Sequence, residues 1–332
     1  MTPAEVGVET ERILAELRKV VLGHERVLRE TLAGFLAGGH VLLEGVPGTA
    51  KTLLVRALGR AVDAKFARVQ FTPDLMPADV TGVNMFHQDE HAFRFHQGPV
   101  FTDLLLADEL NRAPAKTQSA LLEAMQERHV TVDGTEHPLP DLFTAFATQN
   151  PVEYEGTYPL PEAELDRFLA KVIVGYPAED EERGILDRYA GGFDAEREET
   201  FGIRKVAGPE KVREMRAAVE KVHVEPGVRA YVAAVVRATR EPGAISLGAS
   251  PRATVALFKM IRAGAAMRGR DYATPDDVKD LAPAVLRHRV TLTPEAEIEG
   301  DTPDAAVRRI LDRVEVPEGT AGTARSRGKD AE

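Results

Sequence analysis

The sequence predicts an α/β fold in which helices cover a parallel sheet, followed by a domain made of helices. Short apolar segments alternate with helical patterns through the first half of the chain, which is typical of parallel sheets covered on both faces. Beyond residue 176 only helical patterns recur, and most of them open with proline in the first turn. The 332 residues are enough for two domains of about 150 residues each.

Five segments have the composition of buried strands, because they are short, mostly apolar and bounded by residues that favour turns. They are residues 40–44, 65–71, 103–107, 142–148 and 170–174. Helical patterns at residues 51–62 and 114–128 lie between strands of this set. We therefore expect the five strands to form one parallel sheet.

The composition of the chain changes near residue 176. Residues 1–176 contain the predicted strands, and residues 177–316 contain helical patterns with regular apolar spacing. Residues 317–332 are rich in glycine, threonine, alanine and charge, so we expect a disordered tail. No segment resembles a signal peptide or a transmembrane helix, and we expect a cytoplasmic protein with no integral membrane segment.

Composition excludes several classes of function. The chain has no cysteine, which excludes disulfides, thiolate metal sites and cysteine nucleophiles. Its formal net charge is −11, and it has no tryptophan. An acidic chain with few aromatic residues is poorly suited to nucleic acid unless its basic residues gather on one face.

A phosphate-binding loop is predicted where the first strand meets a helix. The loop consists of Gly45, Val46, Pro47, Gly48, Thr49, Ala50, Lys51 and Thr52. Its backbone N–H groups can converge on a phosphate at the helix N-terminus. Lys51 would reach the β- and γ-phosphates, and Thr52 would place its hydroxyl on Mg²⁺. Because Ala50 stands where the motif G-x-x-x-x-G-K-S/T has glycine, we expect helix-like dihedral angles there.

Two acidic residues end the third predicted strand. If that strand lies beside the first, Asp108 comes near the Mg²⁺ and Glu109 near an attacking water. Phosphoryl transfer needs an anion that holds the metal and a group that orients or deprotonates the water. Asn150, after the fourth strand, can position the same water. The alternative is an ordinary turn with solvated strand ends, and a phosphate loop upstream disfavours it.

Taken together, these motifs resemble the AAA+ ATPases and, more narrowly, the MoxR family, in which Ala50 of the phosphate loop is usual. The most specific stretches are residues 45–52, 105–114, 116–127, 147–151 and 155–168. The resemblance implies an AAA+ P-loop NTPase core, with a five-stranded parallel sheet flanked by helices, followed by an all-α lid domain. It also implies ATP and Mg²⁺ as cofactors.

The resemblance assigns further roles to individual residues. Asn150 matches sensor 1, Arg167 matches the arginine finger that reaches the ATP of a neighbouring subunit, and Arg252 matches sensor 2 in the lid. Val21 and Gly23 match the segment beside the adenine. An arginine supplied in trans makes activity depend on a ring, which in this superfamily is usually a hexamer.

The sequence leaves alternatives for these arginines. Arg167 could instead form a surface ion pair with Asp166 or Glu164, and Arg252 could simply open a helix. Whether Arg252 acts in its own subunit or on a neighbour stays open. Arg112 has no role that the sequence identifies.

Two hairpins are predicted outside the sheet. Residues 83–95 match the helix-2 insert of the related AAA+ clade, and residues 129–137 match the hairpin before sensor 1. Asp133-Gly134 is a strong hairpin signal. Across the two hairpins, Arg94 is the only arginine or lysine, which disfavours DNA and favours a protein substrate.

The insert also contains three histidines, His87, His91 and His96. A metal site is conceivable there, but the spacing matches no standard metal-binding pattern. We therefore expect a solvated polar hairpin.

The leading functional hypothesis is a ring ATPase that remodels or matures a protein client, in the manner of a chaperone. The family resemblance alone suggests clients with a von Willebrand factor A domain. The alternatives are a nucleic-acid motor related to the MCM helicases, a subunit akin to the magnesium-chelatase ATPase for cofactor metallation, and a scaffold that binds nucleotide without hydrolysis. The last is disfavoured by the intact set Lys51, Asp108, Glu109 and Asn150.

Overall fold

The computed structural model describes residues 1–151 and 157–316. The strands are β1 (Val41–Glu44), β2 (Phe66–Gln70), β3 (Gly82–His87), β4 (Ala92–Gln97), β5 (Leu104–Asp108), β6 (His129–Val132), β7 (Thr135–Pro138), β8 (Thr144–Gln149), β9 (Ala170–Ile173), β10 (Ile245–Leu247) and β11 (Thr291–Leu292). The predicted disordered tail, residues 317–332, lies outside the described residues.

The α-helices alternate with these strands in the first half of the chain and dominate the second half. They are α1 (Pro3–Leu17), α2 (Glu25–Leu36), α3 (Lys51–Ala61), α4 (Pro77–Thr81), α5 (Ala115–Glu127), α6 (Glu162–Leu165), α7 (Glu179–Ala190), α8 (Pro209–Glu220), α9 (Pro226–Ala238), α10 (Pro251–Met267), α11 (Pro275–Leu286), α12 (Pro294–Ile298) and α13 (Pro303–Arg313).

The five predicted strands form one parallel sheet, in the order β2-β5-β8-β1-β9. We considered β5 as the neighbour of β1, and this was wrong, because β8 lies between them. Leu42 in β1 pairs with Ala147 of β8 on one side and with Lys171 of β9 on the other. Since all five strands run in one direction, their carboxyl ends and the loops that follow meet at one edge of the sheet.

Helices cover both faces of the sheet, as the apolar strands require. Successive residues of β1 point to opposite faces, so Leu43 packs in a core with Leu58 of α3, while Leu42 packs in a second core with Leu121 of α5. The first core continues into α8, α9, α10 and α11. Burial of these strand residues therefore fixes the sheet between two helical layers.

The second half of the chain is helical, as predicted, with one departure. β10 and β11 form a short antiparallel ribbon that the helical patterns did not reveal. α1 packs against α10, and a Cβ on Gly7 would lie only 2.8 Å from the Cα atom of Gly269. This close backbone approach holds the first helix against the helical part. The division of the chain at residue 176 stays a prediction.

Both predicted hairpins are present. β3 pairs with β4 and β6 pairs with β7, in both cases antiparallel. Asp133 and Gly134 have φ values of 49° and 80°, the left-handed pair that a two-residue hairpin turn favours. The Asn84 side chain donates a 2.6 Å hydrogen bond to Asp133, so the two hairpins are in contact.

Ala50, the residue directly before α3, has a backbone conformation that the sequence led us to exclude. We expected helix-like angles, and this was wrong, because φ is 62° and ψ is 18°. A Cβ in the left-handed region costs roughly 1–2 kcal/mol. The loop therefore keeps the backbone path that glycine usually supports at this position, although the residue is alanine.

The conformation of Ala50 predicts a stabilising substitution. Ala50→Gly should raise the free energy of unfolding by roughly 0.5–1 kcal/mol, because removal of the Cβ relieves more strain than the added chain entropy costs. Urea unfolding measures the change. Ala217→Gly is the matched control, since Ala217 is exposed inside α8, and it should lower stability by about 1 kcal/mol. An equal loss in both variants would contradict a left-handed Ala50.

His40 is buried just before β1. Its Nδ1 accepts a 2.9 Å hydrogen bond from the Ala145 backbone N–H, so the proton lies on Nε2, which donates to the Met125 carbonyl oxygen at 3.0 Å. Burial, reinforced by the charges of Arg128 and Arg216, lowers the pKa of His40 to about 3. The side chain is therefore neutral at neutral pH.

This histidine predicts acid sensitivity. Between about pH 6.5 and pH 3 the unfolded chain binds a proton at His40 that the folded chain does not, so stability falls as pH falls. We expect a loss of roughly 2 kcal/mol from pH 6.5 to pH 5. In His40→Gln, which lacks a titratable group, the slope measured by urea unfolding should be smaller. An unchanged slope would show that His40 titrates normally in the folded protein.

Candidate functional site

A cavity of about 560 Å³ opens at the carboxyl edge of the sheet. Its walls are formed by residues 47–53 after β1, by Asp108 and Glu109 at the end of β5, by residues 148–150 at the end of β8 and by parts of α7. Its volume is within the range of small-molecule binding sites. The cavity thus brings together segments that are far apart in the sequence, from Val20 to Glu196.

The loop after β1 is folded back on itself. Lys51 Nζ donates hydrogen bonds to the carbonyl oxygens of Gly45 at 2.6 Å and Val46 at 2.8 Å. Gly45 has no room for a side chain, since a Cβ would lie 2.2 Å from the Val174 carbonyl oxygen. Burial lowers the pKa of Lys51, and the charges of Asp108 and Glu109 oppose that shift. A charged lysine therefore lies half-buried in the cavity wall, in reach of a bound anion.

Asp108 connects the loop with two neighbouring strands. Its Oδ2 accepts a 3.2 Å hydrogen bond from the Thr52 hydroxyl and a 2.7 Å one from Nη2 of Arg68. Its Oδ1 accepts a 2.6 Å bond from the Thr148 hydroxyl. Only 7% of Asp108 is exposed, so these donors are what satisfies its charge.

We did not predict Arg68 and Thr148 as site residues. Thr148 is a buried strand residue, and Arg68 is one polar position in β2. Both reach Asp108 only because β2 and β8 lie on either side of β5. That strand order is not encoded in any local sequence signal.

Glu109 has a strained backbone, and its carboxylate is held by hydrogen bonds from two side chains. Its φ is 56° and ψ is 47°, an unusual conformation for a non-glycine residue that persists where the surroundings enforce it. The Glu109 N–H donates to the Thr148 hydroxyl at 2.8 Å. The carboxylate accepts hydrogen bonds from Gln70 at 2.6 Å and Arg112 at 2.9 Å. Arg112, to which we assigned no role, thus holds the carboxylate of Glu109.

The remaining predicted cavity residues lie at two places. Asn150 is buried and lines the cavity beside the loop, and Val21 lines its apolar end together with Ile185 of α7. Gly23 does not line the cavity. Its φ is 63°, and a Cβ there would lie 2.0 Å from the carboxylate of Glu181, so glycine lets the chain pass close to α7.

Arg167 and Arg252 do not line this cavity. Arg167 donates to the side chain of Gln126 and, at 3.5 Å, to the Leu122 carbonyl oxygen. Arg252 is exposed in the first turn of α10. The two segments meet, since the hydroxyl of Ser250 donates a 2.8 Å hydrogen bond to Asp166.

The alternative explanation of Arg167 as a surface ion pair is not observed. Asp166 pairs with Arg289 at 2.6 Å, and Glu164 accepts a 3.3 Å hydrogen bond from Ser119. Within residues 1–151 and 157–316, neither carboxylate forms an ion pair with Arg167. The Nε of Arg167 is buried with no hydrogen-bond partner.

Two of the three histidines of the insert, His87 and His96, form a hydrogen-bonded pair. His87 Nε2 and His96 Nε2 are 2.9 Å apart and share a hydrogen bond, while His91 occupies the turn with a φ of 47°. Over the described residues, no three or more potential ligand side chains cluster as a metal site would require. None of the described helices is long and apolar enough to cross a membrane.

Comparisons with known proteins agree with this architecture. A family model described as "ATPase family associated with various cellular activities (AAA)" matches residues 40–170, and one described as an AAA lid domain matches residues 237–310. The crystal structure of a candidate ATPase from Cytophaga hutchinsonii is 39% identical, with a TM-score of 0.86, over 95% of this chain and 97% of that one.

Two relatives extend over nearly the whole chain. A chaperone named MoxR1 from Mycobacterium tuberculosis is 42% identical over 93% of this chain and 82% of its own length. The protein MoxR of Methylorubrum extorquens is 31% identical over 92% of this chain and 94% of its own length. The sheet order, the lid match and these identities lead to one assignment: the chain belongs to the MoxR family of AAA+ ATPases.

Proposed function

We propose that this chain hydrolyses ATP in the cavity at the carboxyl edge of the sheet, with Mg²⁺ as cofactor. The observation that supports this most directly is the convergence of Lys51, Thr52, Asp108 and Glu109 on one wall of the cavity. A cation, a hydroxyl, a metal-binding carboxylate and a potential base are the groups that phosphoryl transfer to water requires. Membership of an ATPase family agrees with nucleotide binding.

The residues present fit a magnesium ion. The Thr52 hydroxyl and Asp108 Oδ2 lie 3.2 Å apart, and hydroxyl and carboxylate oxygens are ligands that Mg²⁺ prefers. Thr148 holds the second oxygen of Asp108 and so orients the carboxylate. When bound, Mg²⁺ neutralises the charge of the β- and γ-phosphates.

The other groups have separate tasks. Lys51 exchanges its bonds to the loop carbonyls for the oxygens of the β- and γ-phosphates. Glu109 orients the attacking water and accepts its proton, while Gln70 and Arg112 both donate hydrogen bonds to its Oε2. Asn150 positions the same water. The apolar end, with Val21 and Ile185, receives the base.

We propose that the chain acts as a ring, most simply a hexamer. Arg167 and Arg252 lie outside the cavity of their own subunit and on segments that touch each other. Both can therefore serve the γ-phosphate of a neighbouring subunit, where an arginine stabilises the charge of the transition state. This favours action in trans for Arg252, the alternative that the sequence left open.

We propose a protein client and a cytoplasmic location. The insert hairpin (β3 and β4) exposes apolar side chains, with Phe86 50% and Phe93 71% exposed, as expected of a surface that binds protein. A relative is named a chaperone, which supports remodelling or maturation of the client. A von Willebrand factor A domain in the client rests on the family resemblance alone. Nucleic acid is disfavoured because the two hairpins present a single arginine and no lysine.

Two substitutions separate binding from hydrolysis. Lys51→Ala should abolish detectable binding of a fluorescent ATP analogue, because the cation for the phosphates is lost. Glu109→Gln should keep that binding and lower phosphate release by a factor of roughly 10²–10⁴, because the proton acceptor is lost. Lys205→Ala, at an exposed ion pair with Asp63, is the matched control. Undiminished affinity in Lys51→Ala, or normal turnover in Glu109→Gln, would overturn the corresponding role.

A mixing experiment tests the ring. Arg167→Ala should lower turnover without weakening nucleotide binding to isolated subunits. When it is mixed with Lys51→Ala, some interfaces join an intact cavity to an intact Arg167, so phosphate release should exceed that of either variant alone. Absence of any recovery, in mixtures shown to assemble together, would count against an arginine that acts in trans.

A further inference from the structure

A second cavity, of about 350 Å³, lies at the opposite end of β1. We call it the basic pocket. It is lined by Leu36, Ala37 and Gly38 at the end of α2, Arg216, Val219 and Glu220 of α8, and Lys259 and Arg262 of α10. Gly38 precedes β1 whereas the phosphate loop follows it, so the two cavities are at opposite edges of the sheet and share no residue.

The basic pocket has an excess of two positive charges, because Arg216, Lys259 and Arg262 face a single carboxylate, Glu220. In the part of the chain that the structure describes, none of the three cations forms an ion pair. The nearby Arg213, by contrast, pairs with Glu210 at 2.5 Å. Unpaired cations gathered around a cavity are unusual in a chain with a net charge of −11.

The guanidinium of Arg216 is held by two hydrogen bonds and keeps further N–H donors for a ligand. Its Nε donates to the Phe35 carbonyl oxygen at 3.1 Å, and its Nη2 donates to the Thr144 hydroxyl at 2.9 Å. Burial, together with the charge of Arg128, lowers the pKa of Arg216 to about 10, so it stays charged at neutral pH. Its Nη1 has no protein acceptor among the described residues.

Arg262 has a buried donor that lacks a partner. Its Nε is buried and makes no hydrogen bond, and its guanidinium lies 5.2 Å from the centre of the Phe258 ring. A buried donor without an acceptor is unfavourable. An anion in the basic pocket could reach this Nε only after a shift of the side chain, since the atom has almost no accessible surface.

The carbonyl groups at the end of α2 do not repel an anion from this place. Arg216 binds the carbonyl oxygen of Phe35, and Arg128 Nη2 binds that of Gly38 at 2.9 Å. The two arginines thus neutralise the negative end of the helix dipole. The remaining positive charge of Lys259 and Arg262 faces the cavity.

We propose that the basic pocket binds a phosphate-bearing small molecule through Arg216, Lys259 and Arg262. Guanidinium groups match phosphate oxygens in pairs of parallel hydrogen bonds. A monocarboxylate would leave part of the excess charge uncompensated, whereas one phosphate group, with a charge of about −2, balances it. The cavity exceeds the size of one phosphate, and both free diphosphate and the diphosphate of a nucleotide have the required chemistry.

The test uses the full chain with Lys51→Ala, which removes the principal cation of the phosphate loop. Isothermal titration calorimetry with pyrophosphate, and separately with ADP, should detect binding. Adding Lys259→Gln and Arg262→Gln should weaken it about tenfold or more. Arg229→Gln with Arg237→Gln, both exposed on α9, is the control of equal charge change, and it should alter affinity by less than about threefold.

The outcomes are distinct. An equal loss for pyrophosphate and ADP assigns recognition to the diphosphate, and much tighter binding of ADP with the same loss identifies a nucleotide. No binding of either probe, or the same loss in the control pair, overturns the proposal. The double substitution Lys259→Gln and Arg262→Gln should not lower the melting temperature, because it removes neighbouring like charges. If this variant does not fold, Lys259→Gln alone is used in the titration. If only the ATP site were wrongly assigned, Lys51→Ala would leave binding of the ATP analogue unchanged. The pocket substitutions would still weaken binding of pyrophosphate and ADP.

Discussion

The hydrogen bonds of Asp108 join four parts of the molecule at one point. Thr52 belongs to the loop and helix after β1, Arg68 to β2 and Thr148 to β8, and all three donate to this one carboxylate. A buried carboxylate is stable only with such partners. The position of the loop at residues 45–52 relative to β5, and with it the shape of the cavity, therefore depends on these contacts.

Left-handed, strained backbone occurs at the same cavity, as it does at His91 and Asp133 in the two hairpins. Ala50 and Glu109 both line the cavity and have left-handed angles without being glycine. Ala50 directly precedes α3, and Glu109 directly follows β5. The strain persists because the flanking strands are fixed by the sheet and by the two cores. The arrangement aims the first turn of α3 and the carboxylate of Glu109 at the same space.

The net charge of the chain and the local charge of the basic pocket have opposite signs. The net charge of −11 describes the surface as a whole and disfavours nucleic acid. The basic pocket has the opposite sign, and its cations come from α8 and α10, beside the end of α2. Because these residues are far apart along the chain, no window of the sequence reveals the pocket, and average composition conceals it.

The sequence by itself determined the five strands, the turn between β1 and α3, the acidic pair at the end of β5 and the Asp133-Gly134 turn, because each depends on local apolar periodicity or on the backbone preferences of a few neighbouring residues. Only the tertiary structure decided that β8 separates β1 from β5, that Arg68 and Thr148 reach Asp108, and that Arg167 and Arg252 lie outside their own cavity. These features arise from contacts between distant segments, which local preferences do not specify. Ala50 shows the limit most clearly, since its own preference is for a helix and its surroundings impose the left-handed turn.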